Sequence, residues 1–242
     1  MFIHKKHDIV RPFAREEHTE NGHYYRTEEG KLYPSVTTVF KLIDPAEEKP
    51  WYPRWINKLA RENNCTYEEA ILLAKKVGKG STDVGTELHR LAEDYINNKE
   101  IIYEPENYIN NFEKNPIDLF NPLKTHLDGY IGTVHGTEAK IYSDDLEIAG
   151  TSDLVAEYDG ILSIIDYKNS RKPKSLSNLK ESHYFEQICC YGKLWEYCTG
   201  QKIEQGVIIV IQWDGKVKPF KVILDEYENS LYTLLLKYEA IK

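Results

Sequence analysis

The chain has 242 residues, 41% hydrophobic and 29% charged, the proportions of a globular protein with ample core. No apolar run approaches the ~18 residues a membrane span needs. The first twenty residues hold no signal core and carry Asp8, Glu16 and Glu17, against an organelle transit peptide and for a cytoplasmic protein. A net charge of −8 argues against a general polycation, yet Lys168, Arg171, Lys172, Lys174 and Lys180 fall within thirteen residues that contain no acid. Cys65, Cys189, Cys190 and Cys198 have no CxxC spacing and read as free thiols.

In chain order, the first ~30 residues are polar and patchy and predict an arm or edge structure. Pro34–Phe40 reads as a turn entering a short helix with Ser35 as N-cap. Residues 45–53 read as a loop, followed by helices over 54–63, 66–76 and 82–97, the last capped by Ser81 or Thr82. A helical pattern over 107–130 is interrupted at Pro116 and Pro122. Strands are expected over 137–142, 148–158 and 161–168, a helix over 184–197, a hairpin of 205–213 with 216–223 across Asp214-Gly215, and a closing helix over 226–240. Helices followed by a helix-interrupted sheet predict an α/β (mixed α+β) fold, a central mixed sheet flanked by helices. One domain is expected, with 1–135 a mainly helical lobe and 136–242 the sheet core.

The segment with most chemistry is Glu147–Ser170. Asp159-Gly160 between two apolar runs is a strong hairpin signal, because a two-residue type I′ turn needs φ > 0 at both central positions. With Tyr158 paired to Ile161, Asp153 and Asp166 stand opposite each other, their Cβ atoms roughly 4.5–5.5 Å apart, and Lys168 shares their face. Opposed like charges need an offset, and a divalent cation supplies one. A turn at Asp144-Asp145 would bring Glu138 opposite Thr151, on the same face. Converging carboxylates suit Mg²⁺ or Mn²⁺ rather than zinc, and a lysine beside them suits phosphodiester hydrolysis. The rival reading is a surface salt bridge between Lys168 and either acid. His89 and Glu93 form an i,i+4 pair on a predicted helix, as do Gln187 and Tyr191 on another, with Trp195 continuing the second stripe. A buried Gln187 amide would need a polar partner.

Five segments in this order, GTELHRLAE (Gly85–Glu93), GTE (Gly136–Glu138), GTSD (Gly150–Asp153), DYK (Asp166–Lys168) and QICCY (Gln187–Tyr191), resemble the PD-(D/E)xK nuclease superfamily, most of all its RecB-type branch. PSVTTVF (Pro34–Phe40) and SIIDYKNSRKPK (Ser163–Lys174) are similar to mitochondrial genome maintenance exonucleases and their phage-encoded relatives. The resemblance implies a restriction-endonuclease-like sheet core. It implies one or two Mg²⁺ or Mn²⁺ ions held by His89, Asp153, Asp166 and the backbone carbonyl of Tyr167, and Lys168 as the catalytic lysine. Glu138 matches an upstream acid of variable role, and Gln187 and Tyr191 would contact DNA or brace the site. Some relatives hold an iron–sulfur cluster with one early and three C-terminal cysteines; no such trio follows Cys198, so no cluster is expected.

Arg171, Lys172 and Lys174 would hold phosphates, and Tyr33, Trp51, Tyr52 and Trp55 offer base-stacking surfaces. The expectation is an exonuclease on single-stranded DNA ends, in phage or bacterial DNA degradation, recombination or replication, with replication or recombination proteins as partners and no membrane. A duplex endonuclease and a catalytically silent DNA-binding protein on the same fold stay open as alternatives.

Overall fold

The computed structural model describes residues 1–7, 13–19, 22–102 and 112–242. Its centre is a mixed five-stranded sheet in the order β4 (Ile131–Ser143), β5 (Ile148–Tyr158), β6 (Ile161–Ser170), β7 (Gln205–Gln212), β8 (Val217–Ile223). Every pairing is antiparallel except β6 with β7, which run parallel. A parallel pair needs a crossover. Here α5 (Leu176–Glu181) and α6 (Tyr184–Thr199) supply it. Ile164 and Ile165 of β6 and Val207 to Ile211 of β7 are all buried, the mark of central strands covered on both faces.

One face carries α6, through Ile188, Leu194 and Trp195, with α1 (Val36–Ile43) and α7 (Glu228–Ile241) at its margins. The other carries α3 (Tyr67–Ile96) and α4 (Pro116–Tyr130). Val84, Leu88, Leu91 and Ala92 form the buried stripe of α3 at helical spacing. Each large aliphatic side chain buried there contributes roughly 1.5–3 kcal/mol. That stripe fixes the rotation of α3, so neighbouring His89 is aimed at the sheet rather than at solvent. Among the described residues no helix is long and apolar enough to cross a membrane.

Several local expectations match. Ser35 caps α1 by accepting the Thr38 N–H, and Asp159-Gly160 turns the β5–β6 hairpin with positive φ at both residues. Asp214-Gly215 lies between the paired Ile211 and Val217. Residues 1–7 form an arm on the edge strand β4, where Ile3 and Lys5 bond the Val134 backbone.

Others are corrected. Helices expected to break near Gly78–Ser81 are one 30-residue helix, opened by a Thr66–Glu69 capping box. Its glycines are tolerated because the mid-helix is docked: Arg171 binds Ser81 Oγ at 2.9 Å and the Val77 carbonyl at 3.1 Å. Trp51 and Tyr52, expected in a loop, open α2 (Trp51–Asn63). Pro122 does not end α4, which starts at Pro116; the expected turns over 107–111 lie outside the described residues. The polar N-terminal stretch forms an antiparallel sheet, β1 (Phe13–Thr19), β2 (Gly22–Thr27) and β3 (Leu32–Pro34). Its alternation is hidden because Glu, His, Arg and Thr occupy both faces.

Candidate metal centre and active site

The β5–β6 register is the one the turn predicts, from Tyr158↔Ile161 to Leu154↔Ile165. The ladder stops one residue short of Asp153 and Asp166. There the Tyr167 N–H donates to Asp153 Oδ2 at 2.8 Å, and β6 continues its pairing with β7. Each acid also meets a cationic group of the protein. Lys168 Nζ donates to Asp166 Oδ1 at 2.9 Å and lies 2.6 Å from Oδ2, which has no hydrogen bond of its own. His89 Nδ1 is 3.5 Å from Asp153 Oδ1.

The β4–β5 loop is longer than the expected two-residue turn. Ser143 pairs with Ile148, and Thr137↔Leu154 and Ala139↔Ser152 bracket Glu138 against Asp153 rather than Thr151. A displacement of two residues preserves side-chain parity, so Glu138 still lines the cavity with Asp153 and Asp166. Its φ is +44°, a left-handed conformation unfavourable for a residue with a Cβ by roughly 1–2 kcal/mol. Ligand atoms of His89, Glu138 and Asp153 all fall within 4.8 Å of one another. The structure thus puts Glu138 in a candidate ligand group with His89 and Asp153, while Asp166 stands beside it, held by Lys168.

Electrostatics follow from this crowding. Burial, then the Asp153 charge, pushes the Glu138 carboxyl up to about 7. Burial pulls the His89 imidazolium down, but the Asp153 charge and hydrogen bond outweigh it and raise the group to about 9. Asp153 is lowered despite its burial, because His89⁺ faces it. Asp166 is raised, chiefly by burial, with Lys168 opposing. His89 Nε2 is 3.0 Å from the Tyr167 carbonyl oxygen. That distance suits a hydrogen bond; it equally suits neighbouring ligands of one octahedral ion, roughly 3 Å apart when metal–oxygen distances are about 2.1 Å. Three carboxylates, Glu138, Asp153 and Asp166, line one cavity of about 340 Å³ with the His89 imidazole, and with the Tyr167 carbonyl beside His89 they make a donor set that fits Mg²⁺ or Mn²⁺.

No family model matches the chain. It is similar to mitochondrial genome maintenance exonuclease 1 of Mus musculus, 24% identical over 187 residues, or 75% of this chain and 50% of the relative. The Homo sapiens protein of that name is 23% identical over 190 residues, 76% and 50%. The chain thus spans about half the length of the curated relatives it matches. Among solved structures, a candidate exonuclease from Eubacterium rectale covers 86% of this chain and 77% of its own at 12% identity, with a TM-score of 0.48. A phage-related exonuclease from Haemophilus somnus covers 86% and 90% at 12% identity, with a TM-score of 0.42.

Around the acids, Gln187 and Tyr191 of α6 line the same cavity. Gln187 is 6% exposed and its Oε1 has no hydrogen-bond partner, so a buried acceptor faces the cavity. Gly150 allows the Tyr191 ring close to β5: a Cβ there would sit 2.7 Å from a ring carbon. Gly85 does the same for α3 and β6, where a Cβ would lie 2.5 Å from Asn169 Nδ2. The basic residues separate. Arg171 is a surface clamp between elements, ion-paired with Glu113 and placed over the Trp213 ring at 4.4 Å. Lys172 is exposed, and Lys174 lines a neighbouring groove of about 850 Å³ with Lys41, Lys49, Trp51 and Tyr184. Groove and cavity share Thr37 and Gln187. Lys41, Lys49 and Tyr184 show no local pattern in the sequence that marks them; the Tyr184 ring lies 5.1 Å from Lys168 Nζ. Of the expected stacking residues, Tyr33 is buried with its hydroxyl on Asp144, whereas Trp51 is 51% exposed.

Proposed function

We propose that the chain is a Mg²⁺- or Mn²⁺-dependent deoxyribonuclease of the PD-(D/E)xK, RecB-type kind, acting as an exonuclease on single-stranded DNA ends. What carries this reading is the convergence of His89, Glu138 and Asp153 within 4.8 Å, beside the Asp166–Lys168 pair. The limited similarity to exonuclease-named relatives supports it.

His89, Glu138, Asp153, Asp166 and the Tyr167 carbonyl are the groups that would hold the cation. Bound there, it would supply Lewis acidity toward the scissile phosphate and a lowered pKa for the attacking water. Lys168 is kept in its charged form by Asp166, so its role is electrostatic: it stabilises negative charge developing on the phosphate and orients the nucleophile. The Tyr184 ring holds the ammonium in that place. Gln187 and Tyr191 border the substrate, and the adjoining groove offers Lys41, Lys49 and Lys174 to phosphates and Trp51 to a base. Asp44 and Glu181 line the groove as well, which limits its net positive charge and suits one strand better than a duplex.

The test is metal-dependent digestion of labelled linear and circular, single- and double-stranded DNA and RNA, each end blocked in turn. Linear single strands should be degraded and circles survive. Asp166→Asn and Lys168→Ala should abolish cleavage while DNA binding persists. Wild-type turnover by Asp166→Asn sinks the assignment, and cleaved circles convert it to an endonuclease.

A further inference from the structure

A second group of metal-capable side chains lies on the N-terminal sheet. Glu16 and His18 of β1 and His23 of β2 each bring a ligand atom within 4.8 Å of the other two. His18 and His23 are register partners across the hairpin, their rings stacked with centroids 4.2 Å apart and planes 13° from parallel. Glu16 Oε2 is 3.2 Å from His23 Nε2, a buried nitrogen that makes no hydrogen bond. The other Glu16 oxygen is 2.7 Å from Lys140 Nζ.

This group is separate from the one built on His89, yet it borders the same cavity, which Glu16 and His23 also line. Tyr25 stands beside it, its ring 4.6 Å from that of His23 and its hydroxyl 2.8 Å from Thr151 Oγ1.

We propose that Glu16, His18 and His23 form a second cation site, at the rim of the cavity, for an imidazole-preferring divalent ion: Zn²⁺, or Co²⁺ in its place. Two imidazoles and one carboxylate are borderline donors that Mg²⁺ leaves aside, whereas the oxygen-rich group built on Asp153 suits hard ions. Three protein ligands leave a fourth, open position. Lys140 can stay on the far oxygen of Glu16 as an outer-shell partner. Stacked rings lie in parallel planes that share no ion, so binding turns both side chains until their nitrogens converge. The alternative is a stacked histidine pair with a Glu16–His23 ion pair and no affinity for a cation. The ion would tie β1 to β2 beside the end of their hairpin and stiffen one wall of the cavity. The site does not rest on the nuclease reading.

The test uses the full chain without a histidine tag, in excess Mg²⁺, titrated with Zn²⁺ by calorimetry and with Co²⁺ by visible absorption. Asp153→Asn serves as a background in which the first site is weakened, and wild type is its companion should that variant fold poorly. Both should bind one Zn²⁺ per chain that Mg²⁺ does not displace, with a rise in Tm. His18→Ala, at an exposed position, and Glu16→Gln should each weaken binding at least about tenfold and remove the Tm rise. Absence of Mg²⁺-resistant Zn²⁺ binding, or binding unchanged in both rim variants, overturns the proposal.

Discussion

Glu138→Gln should stabilise the metal-free protein at alkaline pH and leave it unchanged in acid. The carboxyl is pushed from its ordinary 4.5 to about 7, first by burial and then by Asp153 across the strand pair. A raised folded-state pKa means the folded chain keeps a proton that the unfolded chain has lost between those values. The stability held by that proton is complete below pH 4.5 and disappears as pH rises through 7. The gap corresponds to about 3 kcal/mol at about 1.4 kcal/mol per pH unit. Glu138 is partly exposed, so solvent screening reduces this to about 1–2 kcal/mol. Glutamine keeps the shape and has the same difficulty at φ +44°, so only the ionisation is removed. Urea unfolding with a chelator should show the variant more stable by about 1–2 kcal/mol at pH 8 and equal to wild type near pH 4.5. With saturating Mn²⁺ at pH 8 the order should reverse, since wild type gains binding energy that the variant lacks. Equal stability at both pH values without metal, or a less stable variant at pH 8, refutes the reasoning.

Other outcomes follow from packing and thiol chemistry. Gly150→Ala places a methyl 2.7 Å from the Tyr191 ring and 3.2 Å from Val36 Cγ2, and should lower stability by about 1–3 kcal/mol in denaturant titration while reducing cleavage. Leu88→Ala empties a fully buried position under α3 and should lose about 3–5 kcal/mol, with weaker Mn²⁺ binding because His89 is adjacent. Burial pushes the Cys189 thiol up to about 12 and Cys190 higher still, and Cys198 is also buried. Iodoacetamide should therefore label Cys65 alone in the native protein, as peptide mapping would show.

The features legible in the residues alone are local. Asp159-Gly160 demands φ > 0 twice and so sets the β5–β6 register, which places Asp153 and Asp166 at the same level before any tertiary contact is known. Ser35 announces a helix start by bonding its own neighbours, and the apolar runs of β6 and β7 mark central strands. The rest depends on long-range contacts. The β4–β5 loop runs four residues rather than two, and Glu138 thereby faces Asp153; parity alone was legible, because only it survives a two-residue slip. Gly78 and Gly80 signal a break that α3 does not make, since Arg171, far along the chain, binds its carbonyl and hydroxyl groups there. The same arginine reads as a phosphate ligand in sequence, and in the fold its guanidinium is paired with Glu113 and lies over Trp213 at the surface. Backbone dihedral preferences act over two to four residues and can be read in order. The partner of a charged side chain is chosen by what folding brings beside it.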